Sequence, residues 1–128
     1  KEFTFGRYMA LEDGVEISIV GNCTGNPVTY IIRSYANGAL QSITEGGSTA
    51  KAAERLGEKV HYASKVNNSG WAGEWAIPLD AVGLRAKPNQ RVAFNMCAFI
   101  NEYGNWHCWE GTQGESWQAD RAGTLLFK

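Results

Sequence analysis

The stretch Trp71–Leu84, WAGEWAIPLDAVGL, constrains the fold of this chain more than any other. Its first part has a period of two, which is typical of a half-buried strand. The residues that share one face are Trp71, Gly73, Trp75 and Ile77. Because proline has no N–H to give to a sheet ladder, Pro78 predicts that the strand ends at Ile77. The residues that follow, LDAVGL, predict a short segment of about one helical turn, closed by Gly83.

The same alternation recurs along the chain and predicts an all-β fold. Further strands are predicted at Lys1–Arg7, Gly14–Val20, Val28–Tyr35, Ala39–Thr44, Lys59–Val66, Val92–Ile100, Asn105–Glu110 and Gly123–Phe127. The dipeptide Asn37-Gly38 is typical of a tight hairpin turn. Since the chain combines short strands with 15 glycines, we expect an antiparallel β-sandwich of about eight strands with one or two short helices. At 128 residues the chain, residues 1–128, fits a single domain.

One segment departs from the β pattern. The residues AKAAERL follow Ser48 and Thr49, either of which could cap a helix, and Gly57 could end it. The segment Glu45–Gly57 therefore predicts either two helical turns or a mobile loop.

The charges exclude two classes of partner. The chain has 12 basic and 13 acidic residues, a net charge of −1, and the charges are scattered. Duplex nucleic acid and anionic membranes both require a clustered basic face, so we expect no nucleic acid and no membrane among the partners. The chain also lacks an initiator methionine and a signal-peptide pattern, and we expect it to be a piece of a longer polypeptide.

The three cysteines do not form a metal-binding pair. If the chain folds back at Asn101–Gly104, Cys97 lies opposite Cys108, so that a cross-strand disulfide is possible. A disulfide would imply an oxidising compartment. The alternative is two buried thiols.

Catalytic signatures are not found in the sequence. There is no G-x-S-x-G motif, and His61 and His107 lie apart without a ligand pattern. A glycosidase requires two carboxyl groups facing one bond, and the spacing of Glu74, Glu110 and Glu115 does not predict such a pair. We therefore expect the domain not to be an enzyme, and to require no cofactor.

The tryptophans favour a sugar site. Trp106, Trp109 and Trp117 are close in sequence and are interleaved with asparagine, histidine and glutamine. A pyranose has an apolar C–H face and an equator of hydroxyls, so its sites combine aromatic platforms with polar side chains. We expect Trp106 or Trp109 to pack inward on its strand, and Trp117, in a polar loop, to be an exposed platform.

The order of several motifs resembles the family 9 carbohydrate-binding modules and their relatives in the DOMON-like superfamily. The matching pieces are DGVEI at Asp13–Ile17, YANG at Tyr35–Gly38, WAGEWAIPL at Trp71–Leu79, VAFN at Val92–Asn95 and AGTLLF at Ala122–Phe127. The resemblance implies a secreted, extracellular or periplasmic β-sandwich that binds a polysaccharide or oligosaccharide without cleaving it. It also implies other domains of the same polypeptide as partners, as in an accessory module of a glycoside hydrolase, and possible structural calcium.

The resemblance also assigns residues. By motif position Glu16 is the acidic residue of the D-x-x-E pattern, Arg33 is a polar contact, and Trp117 is the late aromatic platform. With Tyr35, Glu16 and Arg33 are expected to fix the hydroxyls of the sugar. The family tends to have a tryptophan ahead of D-x-x-E, where this chain has Ala10. Either Tyr8 substitutes for it or the site is one-sided.

Two alternatives stay open. The first is a structural sandwich domain whose tryptophans dock a neighbouring catalytic domain. The second is a b-type haem domain, as in some DOMON-like relatives, with iron held by Met9 or Met96 together with His107 or His61.

Overall fold

A computed structural model of the chain describes residues 13–128, so the predicted strand Lys1–Arg7 and the candidate residues Tyr8 and Met9 lie outside the described residues. The described part contains eight strands: β1 Gly14–Cys23, β2 Asn26–Tyr35, β3 Leu40–Ile43, β4 His61–Asn67, β5 Gly70–Ala76, β6 Arg91–Ile100, β7 Asn105–Cys108 and β8 Gly123–Leu126. It also contains one α-helix, α1 Ala50–Lys59, and three 3-10 turns at Leu79–Val82, Asn101–Tyr103 and Ala119–Arg121.

The strands form two antiparallel sheets. The larger sheet has the order β3-β2-β1-β6-β7, with β8 also paired to β6, and β4 pairs with β5 in a separate two-stranded sheet. This confirms the predicted all-β, antiparallel fold of about eight strands with short helices. The two-layer sandwich stays a prediction.

The strands β7 and β8 lie end to end along the same edge of β6. Residues 97–100 of β6 pair with β7, and residues 91–94 pair with β8. Asn95 and Met96 occupy the gap between the two, which is where residues 109–122 leave the sheet. This gap is therefore the point from which the long loop near the C-terminus is anchored.

One face of the large sheet, the core face, carries the apolar core. Ile17, Ile19, Tyr30 and Ile32 are buried there against Leu56 of α1 and Val82 of the first 3-10 turn. Of the two alternatives predicted for this segment, the helix is the one that forms. The Thr49 hydroxyl accepts from the N–H of Ala52 at 3.2 Å and caps its first turn.

The stretch around Trp75 covers another part of the core face. Its strand ends at Ala76, one residue earlier than predicted, and Pro78 precedes the 3-10 turn as expected. Gly83 closes that turn with a φ of 68°, a conformation that glycine adopts without strain. The Trp75 ring packs against the core, and its Nε1–H donates to the Ser34 hydroxyl at 2.9 Å.

Candidate functional site

The opposite face of the large sheet, the cleft face, is polar where three strands meet. Glu16 of β1 is paired with Arg33 of β2 on one side and with Cys97 of β6 on the other. Because directly opposite residues of paired strands project to the same face, the sheet brings these three side chains together. The sequence alone assigned the first two to one site, and the strand register accounts for their meeting.

Arg33 is held by two carboxylates. Its Nε–H donates to Glu16 at 2.8 Å, and its two terminal nitrogens donate to the two oxygens of Glu45 at 3.4 and 3.0 Å. Burial acts to lower the pKa of Arg33, but the hydrogen bonds and charges of Glu16 and Glu45 outweigh it and raise the pKa above its usual value. The guanidinium therefore stays charged throughout the working pH range.

The loop at residues 109–122 crosses this face and is fastened to it by Asn95. The Asn95 side chain donates to the carbonyls of Glu110 and Ser116, both at 3.1 Å, and accepts from the N–H of Glu110 at 3.2 Å. The hydroxyl of Ser116 donates in turn to Glu16 at 2.5 Å. Both ends of the segment 110–116 are thus tied to buried side chains of the sheet.

A disulfide fastens the neighbouring strand. Cys97 and Cys108 are bonded, which confirms the cross-strand pairing that the sequence allowed. Two residues before Cys108, Trp106 lies on the cleft face with its ring 5.2 Å from that of Phe99. The disulfide and Phe99 together position the Trp106 ring.

These elements enclose a cleft of about 500 Å³. Its walls are Arg33 and Glu45 from the sheet side, Trp106 and Cys108 from β7, and the loop residues from Gly111 to Trp117. Trp106 is 36% exposed and Trp117 is half-buried. The cleft therefore presents two indole rings, an ion pair and the polar groups of one loop to solvent.

Other predicted site residues do not line the cleft. Glu16 is only 2% exposed and lies behind Arg33, so it positions the guanidinium and Ser116 rather than facing solvent. Tyr35 is fully buried, and its hydroxyl donates to the Gln41 side chain at 3.2 Å. The prediction that Tyr35 contacts the sugar is therefore corrected, because no part of its side chain is accessible.

The prediction that Trp109 belongs to the sugar site is also corrected. It is 52% exposed, and its ring meets Phe94 edge-on with 5.8 Å between centroids. Together with Met96 and His107 it lines a separate apolar groove of about 440 Å³ on the core face. The expectation that Trp106 or Trp109 packs inward is wrong, because both are exposed, on opposite faces of the sheet.

Reasoning from the sequence assigned no role to three residues that build the cleft: Asn95, Glu45 and Ser116. Asn95 is the last residue of the VAFN motif. A polar residue in an otherwise apolar strand was the signal that could have identified it. Glu45 lies in a turn and Ser116 in a loop, and neither position has a periodic pattern that would reveal its partner.

The remaining candidate carboxylates are exposed. Glu115 lines the cleft, whereas Glu74 on β5 and Glu110 do not. Within residues 13–128, no group of three or more histidine, cysteine, aspartate or glutamate side chains could hold a metal ion, and structural calcium stays a prediction. No helix in this part of the chain is long and apolar enough to cross a membrane.

Comparison of the chain with protein-family models, with curated proteins and with solved structures gave no match.

Proposed function

We propose that this domain is a non-catalytic carbohydrate-binding module and that the cleft between Trp106 and Trp117 is its sugar site. The observation that carries the proposal is the placement of two accessible indole rings in one cleft with the Arg33–Glu45 ion pair. Indole faces stack on the C–H face of a pyranose, and charged side chains hydrogen-bond its hydroxyls.

The wall of the cleft retains unused hydrogen-bonding capacity. A guanidinium has five N–H donors, and the contacts of Arg33 with Glu16 and Glu45 use three of them. The remaining two, with the carboxylates of Glu45 and Glu115, are suited to sugar hydroxyls. Stacking of about 1 kcal/mol per ring beyond the burial of apolar area, together with hydrogen bonds of about 1 kcal/mol each, predicts weak to moderate affinity.

Two further features support this function. The motif order resembles the family 9 carbohydrate-binding modules, which bind sugars as parts of larger enzymes. The disulfide between Cys97 and Cys108 fits an extracellular or periplasmic location, since such bonds persist in oxidising compartments. We propose accordingly that the domain serves a secreted polypeptide that acts on polysaccharide.

The test is a fluorescence titration of the domain with a panel of oligosaccharides, each with and without a reduced terminus. We expect a saturable change in tryptophan emission, and its loss on reduction would indicate recognition of chain ends. No response to any sugar would overturn the proposal and favour the docking of a neighbouring domain.

Calorimetry on three single variants then locates the site. Trp106→Ala and Trp117→Ala should each abolish binding. Trp109→Ala is the matched control, because it removes an exposed indole from the opposite face and should leave affinity unchanged. If Trp109→Ala alone abolished binding, the sugar site would lie on the core face and not in the cleft.

One observation favours a second candidate, a b-type haem domain. Met96 and His107 line the same apolar groove on the core face, and methionine with histidine is a known pair of haem ligands. The apolar groove suits the haem macrocycle. Met96 and His107 would hold the haem iron there. Reconstitution with haem should then give a Soret band that Met96→Ala and His107→Ala both alter, and a protein that stays colourless would exclude this candidate.

A further inference from the structure

Arg33 is the single cationic side chain among the described residues that line the cleft. A free arginine at a sugar site would attract carboxylate or sulfate groups, since its planar fork matches them. Here the fork is occupied, because Glu45 faces both terminal nitrogens and Glu16 takes Nε–H. The cleft therefore offers no unmatched positive charge.

The three charged side chains lie in order from the sheet toward solvent. The side chains of Glu16, Arg33 and Glu45 are 1%, 19% and 53% exposed. A ligand carboxylate or sulfate approaching from solvent could pair with both terminal nitrogens of the guanidinium only by replacing Glu45. It would also meet the exposed side chain of Glu115, which lines the loop wall of the same cleft.

The backbone holds Glu45 in this position. The carbonyl of the next residue, Gly46, accepts from the N–H of Thr29 at 3.0 Å, and Gly47 forms a bridge with the same residue. A Cβ at Gly46 would collide with the carbonyl oxygen of Thr29. The turn is thus pressed against β2, and Glu45 belongs to the wall of the cleft.

We propose that Glu45 determines the specificity of this cleft by occupying Arg33, so that the cleft selects uncharged glycans over glycans that carry carboxylate or sulfate. This inference rests on the proposed sugar-binding function and names its substrate class. Because like charges in close contact oppose binding, anionic sugars should bind at least about tenfold more weakly than their uncharged counterparts.

The experiment uses pairs of oligosaccharides that differ only in charge: cello-oligosaccharides with and without oxidation of C6 to a carboxylate, and trigalacturonic acid with its carboxyl-reduced form. Affinities are measured by calorimetry at low ionic strength, where charge effects are least screened. The native protein should prefer the uncharged member of each pair that binds.

The variant Glu45→Gln should narrow or reverse this preference, by about tenfold or more in the ratio of the two affinities, because it frees the charge of Arg33. Glu58→Gln is the matched control, since it makes the same change in net charge on the exposed side of α1. Unfolding curves of both variants establish that the fold is retained.

Equal affinity for charged and uncharged members would overturn this inference and leave the sugar-binding function in place. If the ratio of the affinities for charged and uncharged members is the same in Glu45→Gln as in the native protein, Glu45 is not the cause of the preference. If no sugar in the panel binds, the proposed function fails and this inference fails with it.

Discussion

The hydroxyl of Ser116 donates a hydrogen bond of 2.5 Å to Glu16, although 100 residues separate the two in sequence. Glu16 lies on β1 and is buried, whereas Ser116 belongs to the loop that forms one wall of the cleft. A buried carboxylate is costly unless it is paired and hydrogen-bonded, and Arg33 and Ser116 together satisfy it. The same contacts that stabilise Glu16 therefore also position the guanidinium and the loop.

Replacing Ser116 by alanine should lower both stability and sugar affinity. The variant leaves one oxygen of Glu16 without its donor, and a hydrogen bond to a charged group contributes about 1.5–3 kcal/mol to the free energy of unfolding. Denaturant unfolding measures the loss. Ser69→Ala is the control, because its hydroxyl bonds Asn67 in an exposed turn and should change stability by about 0.5 kcal/mol or less.

Asn95→Asp should destabilise the loop more strongly than any surface change. It replaces the two donated hydrogen bonds to the Glu110 and Ser116 carbonyls by a buried negative charge that faces both oxygens. Because Asn95 is fully buried, we expect a loss of about 3 kcal/mol or more in the free energy of unfolding. The exposed Asn68→Asp should be nearly neutral, and equal effects at the two sites would show that Asn95 does not anchor the loop.

The local features of this fold could be predicted from the sequence. Alternation located the strands, and the hairpin at Asn101–Gly104 brought Cys97 opposite Cys108 because both residues flank a single short turn. Pro78 and Gly83 marked the end of β5 and the close of the turn that follows. In each case the signal and its structural consequence lie within a few residues of one another.

The contacts that build the cleft could not be predicted in this way. Glu16 and Ser116 meet only because the loop crosses the sheet, and no periodicity reports that crossing. Trp106 on β7 and Trp109, one residue beyond its end, lie on opposite faces of the sheet, as their odd spacing in the sequence allowed. Trp109 is nevertheless exposed, because the core face is left uncovered beside β7, where the apolar groove lies.

Reducing the disulfide should destabilise the protein by about 2–3 kcal/mol, as the chain-entropy estimate gives for a closed loop of this size. The two cysteines are 11 residues apart. Unfolding of the native protein should shift to lower denaturant when a thiol reductant is added, and sugar affinity should fall as β7 and Trp106 loosen. The double variant Cys97→Ala/Cys108→Ala should unfold at the lower denaturant concentration with or without reductant. If reductant does not shift the unfolding of the native protein, the disulfide does not stabilise the fold.

Tyr62 should make the attachment of the β4–β5 hairpin sensitive to alkaline pH. Its hydroxyl donates to the carbonyl of Tyr35 at 2.7 Å, and its ring stacks on Trp75 with 5.2 Å between centroids. Burial raises the pKa of Tyr62 above its ordinary value of 10.0, because it disfavours the charged phenolate. The folded state therefore prefers the neutral hydroxyl, and this stabilisation is complete below the unfolded pKa and is lost as pH rises through the higher folded pKa.

The variant Tyr62→Phe isolates this contribution. It lacks the hydrogen bond at every pH and should be less stable than the native protein by about 1 kcal/mol near neutrality. Burial also raises the pKa of Tyr30, so both proteins lose stability in alkali, and the difference between their free energies of unfolding is the quantity to follow. That difference should shrink toward zero above about pH 10; a difference that stays constant from neutral to alkaline pH would show that the Tyr62 hydroxyl does not hold the hairpin to the sheet.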